Sequence, residues 1–259
     1  MTQLAFDEAT NRLMEEFNAS AGATNRRTRL LDVLALQPGE HVLDVGSGPG
    51  HYAFAMASTV GDTGRVVGFD IAKDSIETAQ CRCSGLANVS FHLGDAVALP
   101  FDEATIDAVL STQTFEYLPN VEAALAEIFR VLKSGGRVLI HDTEWDAWAW
   151  HSLDRARMNR IMEVWDSHLA DPHLPQTLGA KLTAAGFTDV GVEPLVHVET
   201  TYDPASMSAI LIKFVAGYVT THGIPESEAT AWADDLCALG SSGEYFFSSN
   251  EYIFTGIKP

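Results

Sequence analysis

Cysteine, basic side chains and long apolar runs are all scarce in this chain, and each scarcity excludes something. Three cysteines among 259 residues, Cys81, Cys83 and Cys237, are too few for a disulfide framework. So low a count fits a reducing, cytoplasmic compartment. Sixteen Lys and Arg stand against 35 Asp and Glu, a formal net charge of -19. Affinity for a nucleic acid or an anionic membrane comes largely from neutralising phosphates with cations. The densest basic cluster, Arg26-Arg27-Thr28-Arg29, is short, so neither is an expected partner. No stretch approaches the roughly 18 uninterrupted apolar residues of a membrane-spanning helix. The opening residues, Met1-Thr2-Gln3-Leu4-Ala5-Phe6-Asp7-Glu8, carry neither a cationic segment nor an apolar run, so no secretory signal is expected there. What remains, 46% hydrophobic and 20% charged, is the composition of an ordinary folded domain.

From residue 41 onward, short β-rich runs alternate with helical patterns. Strands are expected at His41–Val45, Arg65–Asp70, Val89–Leu93, Ile106–Ser111 and Arg137–His141. Helices are expected at Tyr52–Val60, Ser75–Ser84 and Val121–Leu132. Such alternation predicts an α/β fold, a doubly wound and mostly parallel sheet with helices on both faces. Two helices precede it. Phe6, Leu13, Met14 and Phe17 recur at helical spacing, then Leu30, Leu31, Val33, Leu34 and Leu36, before Pro38-Gly39 stops the run. After His141, helices are expected over Leu153–Leu169, up to Gly186, over Ser206–Thr220 and over Glu226–Leu239. Strands are expected at Val190–Glu199 and, with a Ser-Ser-Asn interruption, at Glu244–Lys258. The chain therefore reads as one seven-stranded domain. Its parts are N-terminal helices over 1–38, a core over 39–142, cap helices at 143–186 and 203–240, and closing strands at 190–199 and 244–258.

The sharpest motif is Val42-Leu43-Asp44-Val45-Gly46-Ser47-Gly48-Pro49-Gly50, an apolar strand running into three glycines with a helical pattern behind. Glycine lets the backbone approach a ligand closely and adopt torsions closed to other residues. A dinucleotide fingerprint, G-x-G-x-x-G, would put its third glycine at position 51, which is His51. Here it arrives one residue early. With Asp44 inside the strand, the run resembles the nucleotide loop of class I S-adenosylmethionine-dependent methyltransferases, which have a Rossmann-like fold. An ordinary strand-to-helix turn is the plainer alternative. Two further features oppose it. Val66-Val67-Gly68-Phe69-Asp70 ends a second strand with a carboxylate twenty residues after Gly50, placed to accept from both hydroxyls of a ribose. Gly94-Asp95-Ala96 then follows the third strand, where the resemblance gives the aspartate to an adenine amino group and its neighbours to the ring.

The resemblance continues through Ile106–Asn120 and through Glu127-Ile128-Phe129-Arg130-Val131-Leu132-Lys133-Ser134-Gly135-Gly136, and it covers residues 28–141. The pattern is similar to ubiquinone/menaquinone-type and natural-product methyltransferases. It implies S-adenosyl-L-methionine as cofactor and methyl transfer to a small molecule through an N, O or C nucleophile, by a monomer or homodimer. The residues it assigns to the cofactor are Asp44, Gly46, Ser47, Gly48, Gly50, Asp70, Ile71, Gly94, Asp95, Ala96, Ser111, Thr112 and Gln113. It also implies that the N-terminal helices act as a lid that excludes water. A nicotinamide-dependent oxidoreductase fits worse, given the glycine spacing and no Tyr-x-x-x-Lys pair in the second half. A binding protein that kept the nucleotide fold without catalysis is a further alternative.

Methyl transfer asks a protein mainly to align a nucleophile and exclude water. Where the acceptor loses a proton, a base takes it. Base candidates belong at the ends of the fourth and fifth strands, where Glu116, His141 and Glu144 stand. Two have plainer uses, Glu116 as cap of a helix beginning near Pro119 and His141 as a packed histidine, while Glu144 has the better position where its loop folds over the cofactor. Just past the fifth strand, Trp145-Asp146-Ala147-Trp148-Ala149-Trp150 places three tryptophans where an acceptor should bind. Trp145 and Trp148, with Phe115 and Tyr117, are the expected substrate contacts. Tryptophan faces attract cations and stack on rings, and Asp142, Glu144 and Asp146 suit an amine-bearing acceptor. Cys81 and Cys83 lie two apart on a helix and so point about 200° apart, unlike the arsenic-binding cysteines of arsenite methyltransferases. No metal is expected, since no His, Asp or Glu group has ligand spacing.

Overall fold

The expected alternation of strand and helix is present. In the computed structural model the described residues are 8–259, with side chains from residue 12 onward. Phe6 of the first expected helix lies outside the described residues. The first half comprises α1 (Glu8–Ala19), α2 (Ala21–Leu34), β1 (His41–Val45), α3 (His51–Val60), β2 (Arg65–Asp70), α4 (Lys73–Arg82), β3 (Val89–Leu93) and β4 (Ile106–Thr112). The second comprises α5 (Val121–Val131), β5 (Leu132–Trp150), α6 (Arg155–Asp166), α7 (Pro175–Ala184), β6 (Thr188–Glu199), α8 (Met207–Thr221), α9 (Glu226–Ser242) and β7 (Phe247–Ile257).

Seven strands take the order β3-β2-β1-β4-β5-β7-β6. The first five pair in parallel and β7 runs antiparallel. Register aligns their carboxyl ends in one row: Val45 lies opposite Phe69 and Ser111, Asp70 opposite Leu93, and Thr112 opposite His141. In sheets of this winding, ligands bind just beyond that row.

The chain forms two compact units, a sheet unit of 27–143, 173–194 and 252–259 and a helical unit of the residues up to 26 with 144–172 and 195–251. In the sheet unit, β1 and β4 read as continuous apolar runs because helices cover both faces. Val42, Leu43, Val109 and Leu110 are fully buried. On α5, Ala124, Leu125 and Ile128 recur at helical spacing and bury one stripe against the sheet. Leu174, Leu178 and Leu182 lie in the same core cluster as Val109 and Ile140. The assignment of 143–186 to a cap is thereby corrected at α7, whose apolar stripe belongs to the sheet unit.

In the helical unit, α8 contacts α1, α6 and α9. That is why α8 is apolar nearly all round, with Met207, Ile210, Phe214, Val215 and Val219 all buried. Two strands also need correction, and β5 already begins at Leu132, five residues before the expected Arg137. β5 was expected to stop at His141 but continues to Trp150, since tryptophan fits a pleated, half-buried surface well. β7 passes unbroken through Ser248, Ser249 and Asn250, with Ser249 buried. Among the described residues, no helix is long and apolar enough to cross a membrane.

Candidate functional site

The chain leaves β1 through a loop whose glycines take left-handed torsions, for two different reasons. Gly46 has φ +73°, and a Cβ there would overlap the Thr114 side chain. Gly48 has φ +50°, yet a Cβ there would meet nothing within 4 Å. Space is therefore held open beside Gly48, while Gly46 is closed by a neighbour. Hydrogen bonds pin the loop from three sides. Gly46 N–H donates to Phe69 O at 2.7 Å, Gly48 N–H to Asp70 Oδ2 at 2.8 Å, and Arg82 Nε to Pro49 O at 2.8 Å.

Asp44 is 1% exposed, and neither carboxylate oxygen completes a hydrogen bond. Burial and, after it, the nearby Asp70 charge push its pKa up to about 8, with only partial relief from the Ala53 N–H. The Ser47 hydroxyl is also buried without a partner. Polar groups left in this state cost stability unless something pairs them. Asp70 is half-buried and takes one backbone N–H on each oxygen, Gly48 on Oδ2 and Ala72 on Oδ1, both at 2.8 Å. Burial raises its pKa, and the amides of Ala72, Gly48 and Ile71 pull it back. Each oxygen keeps a lone pair for a further donor. Beside these strand ends, the apolar residues Ile71 and Leu93 are 65% and 56% exposed. Asp95 is exposed and holds the Val97 N–H at 3.1 Å, while Ala96 is buried. Ser111 donates to Val45 O at 2.8 Å and so ties β4 to β1.

Past β4, the chain turns at Gln113, a non-glycine residue at φ +50°. Such a torsion costs about 1–2 kcal/mol and persists only where neighbours over-determine it. The neighbours are on β5. Gln113 N–H donates to His141 O at 2.7 Å, and Gln113 Nε2 lies 3.5 Å from His141 Nδ1. Thr114 N–H donates to Asp142 Oδ1 at 3.0 Å, and Thr143 N–H to Glu116 Oε2 at 3.1 Å. Glu116, His141 and Asp142 are fully buried.

These features fit one kind of ligand. A buried, unpaired carboxylate suits a cationic group, the Asp70 carboxylate suits a diol, and the exposed Ile71 and Leu93 suit a flat ring. Across residues 36–182, more than half of the chain, the sequence matches the methyltransferase domain family. This chain belongs to that family. It is a class I S-adenosylmethionine-dependent methyltransferase of the small-molecule type. An uncharacterized 37.1 kDa protein in transposon TN4556 from Streptomyces fradiae is 27% identical over 93% of this chain and 69% of its own length. The demethylmenaquinone methyltransferase of Lactococcus lactis is 36% identical over 40% of this chain and 42% of its own. The chain thus spans less than half of that enzyme. Haemonchus contortus phosphoethanolamine N-methyltransferase 2, solved with S-adenosyl-L-methionine, superposes with a TM-score of 0.65 at 19% identity, over 98% of this chain and 58% of that one. At that identity the likeness concerns the fold. The nicotinamide alternative falls with the family assignment.

In this methyltransferase the expected cofactor residues of the loop and of β1, β2 and β4 gather at one row of strand ends, and Gly94, Asp95 and Ala96 follow directly after β3. The expected catalytic and substrate residues scatter more. Glu116 is not the cap of α5; Asn120 is, accepting the Ala123 N–H at 3.0 Å. Phe115 is 0% exposed inside the sheet unit's core, a packing position, whereas Tyr117 is half-buried. Glu144 sits on β5 and not in a loop, and it is buried. Trp145 and Trp148 also lie on β5, with ring centroids 4.4 Å apart.

In the helical unit they join an aromatic cluster that the sequence had not assembled. Trp165 is 5.9 Å from Trp145 and 5.5 Å from Tyr218, and His168 is 4.1 Å from Trp165. Burial lowers the His168 pKa to about 4, so the ring is neutral at pH 7. The indole N–H groups of Trp148 and Trp165 are buried with no acceptor. Thr114 was missed as a site residue, and Asp142, expected to face an amine-bearing acceptor, instead holds the Thr114 N–H. An acid two residues past the apolar run Val138-Leu139-Ile140, behind His141, was the available signal for Asp142. Cys81 is exposed and Cys83 buried, so the two do not share a face.

Proposed function

We propose that this methyltransferase transfers the methyl group of S-adenosylmethionine to a small molecule carrying a ring or an amine. When bound, the cofactor supplies a methyl already activated on its sulfonium sulfur. Asp44 would hold the ammonium of its methionine part, Asp70 its ribose hydroxyls, and Gly46, Ser47, Gly48 and Gly50 would pass beneath with backbone alone. Ile71, Leu93 and the Gly94–Ala96 turn would flank the adenine, and Ser111, Thr112 and Gln113 would close the row. His141 and Glu144 are the proposed proton acceptors. Glu116 is not, because its carboxylate is committed to the Thr143 amide.

One observation carries the acceptor class. β5 is a single strand whose His141 ends the row and whose continuation carries Trp145, Trp148 and Trp150. Aromatic faces bind rings by stacking and cations through their quadrupole. The relative named for demethylmenaquinone supports the ring option. Turnover of isotope-labelled S-adenosylmethionine over a fractionated metabolite extract tests the proposal, and the labelled product identifies the acceptor. No labelled product from any fraction, by a folded and cofactor-binding protein, would overturn it.

Two variants separate the parts. Asp70→Ala should weaken S-adenosylhomocysteine binding by about 1–3 kcal/mol, through hydrogen bonds lost to a charged acceptor. Trp148→Ala should raise the acceptor's KM while cofactor affinity stays within about 0.5 kcal/mol. Trp148 is the better choice than Trp145, which is 5% exposed and whose truncation would leave a hole costing roughly 3–5 kcal/mol. Equal loss of cofactor affinity in the Trp148 variant would return the tryptophans to packing.

A further inference from the structure

One buried arrangement lies beside the glycine loop proposed to seat the cofactor, without being part of it. Asp142 and Glu116 are both 0% exposed, and each accepts a backbone N–H from the other's segment, β5 on one side and the turn after β4 on the other. Asp142, on β5, accepts the Thr114 N–H from the turn after β4 at 3.0 Å. Glu116, in that turn, accepts the Thr143 N–H from β5 at 3.1 Å. Thr143 Oγ1 adds a bond to Gln113 Oε1 at 3.0 Å. Between them sits the left-handed Gln113, which no glycine relieves. The product of that turn is the position of Thr114, the side chain that a Cβ on Gly46 would overlap.

We propose that Asp142 and Glu116 are a positioning pair, which locks the Gln113–Thr114 turn against the first glycine of the cofactor loop and so sets the affinity for S-adenosylmethionine. Neither residue needs to touch the cofactor. Asp142 acts through Thr114, and Thr114 acts on Gly46. Burial, and after it the Glu116 charge, hold the Asp142 carboxyl well above the usual range, against the pull of the Thr114, Glu116 and Phe115 amides. A neutral group therefore suffices at position 142, provided that it presents an oxygen to the Thr114 N–H.

This inference rests on the cofactor reading, and the experiment keeps the two apart. S-adenosylhomocysteine affinity is measured by calorimetry on the full chain, for wild type, Asp142→Ala, Asp142→Asn, Gly46→Ala and the Asp142→Ala/Gly46→Ala double variant. Failure of the wild type to bind would sink the cofactor reading itself. If the wild type binds, Asp142→Ala should lose tenfold or more, and Asp142→Asn, which keeps the oxygen, should recover most of that loss. Gly46→Ala should be severe alone, because its methyl meets Thr114. It should cost markedly less on top of Asp142→Ala, because the freed turn lets Thr114 yield. Simple loss of stability would give additive effects and no such coupling. Should Asp142→Ala fail to fold, Glu116→Gln/Asp142→Asn serves in its place. That pair keeps both acceptor oxygens, and its affinity should lie within about threefold of wild type. Additive losses, or a loss in Asp142→Asn as large as in Asp142→Ala, would overturn the assignment.

Discussion

A Gly48→Asn chain should fold with wild-type cooperativity and bind S-adenosylhomocysteine at least about a hundredfold more weakly, about 2.7 kcal/mol. Asparagine at this position separates two effects that most substitutions at a loop glycine confuse. Gly48 has φ +50°, a region that asparagine enters at small cost and a β-branched residue does not. A Cβ at Gly48 meets nothing within 4 Å, so the folded protein accepts a side chain there without a clash. The Gly48 N–H would still reach Asp70 Oδ2. What changes is the open space beside the loop, which is where the cofactor is proposed to lie. Gly48→Val should lose binding as well, and should also melt lower, because it adds the left-handed strain. Comparing the two by calorimetry and thermal melting isolates occupancy from strain. Wild-type affinity in Gly48→Asn, with native melting, would mean that this space is not the cofactor's seat.

Residues 41–112 were legible because everything that defines them is local. β1, β2 and β3 begin and end at the expected residues, and β4 extends one residue further to Thr112. The cofactor residues in this stretch are marked by glycine spacing or by a carboxylate at a strand end, both visible without a fold. Past His141 the logic changes. Asp142, Thr143, Glu144 and Trp145 are buried in succession, so the strand shows no alternation and its acids read as loop. Asp142 and Thr143 are tolerated because Gln113, Thr114 and Glu116 supply partners from 27–30 residues earlier. No window along the chain contains that information. The same holds for α7. Leu174, Leu178 and Leu182 predict an amphipathic helix correctly, but a stripe that covers a cap and one that covers a sheet look identical in sequence. Asp44 and Asp142 make the contrast sharp. Both are buried acids on apolar strands, and only the one followed by glycines announced itself as a cofactor residue.

Binding of S-adenosylhomocysteine at pH 7 should release close to one proton, and Asp44→Asn should abolish the release. In the unliganded protein the Asp44 pKa is raised from 3.8 to about 8, first by burial and then by Asp70. At pH 7 the carboxyl is therefore about nine-tenths protonated. An ammonium brought to its unpaired oxygens favours the ionised form and pulls that pKa well below 7. The proton must then leave as the ligand binds. Calorimetry in buffers of different ionisation enthalpy counts it directly, and affinity should rise by up to about tenfold per pH unit until it levels near pH 8. Stability runs the other way. Because the folded pKa lies above the unfolded one, the favourable contribution of the neutral acid is complete below about pH 4 and is lost as pH rises to about 8. Asp44→Asn removes that loss, so it should raise the melting temperature of the unliganded protein at pH 8 and change it little at pH 4. The same variant should bind the ligand weakly at every pH, since an amide cannot pair an ammonium as a carboxylate does. A site residue that destabilises the empty protein and stabilises the liganded one is what a cation seat requires. Undiminished proton release in Asp44→Asn would place the ammonium elsewhere.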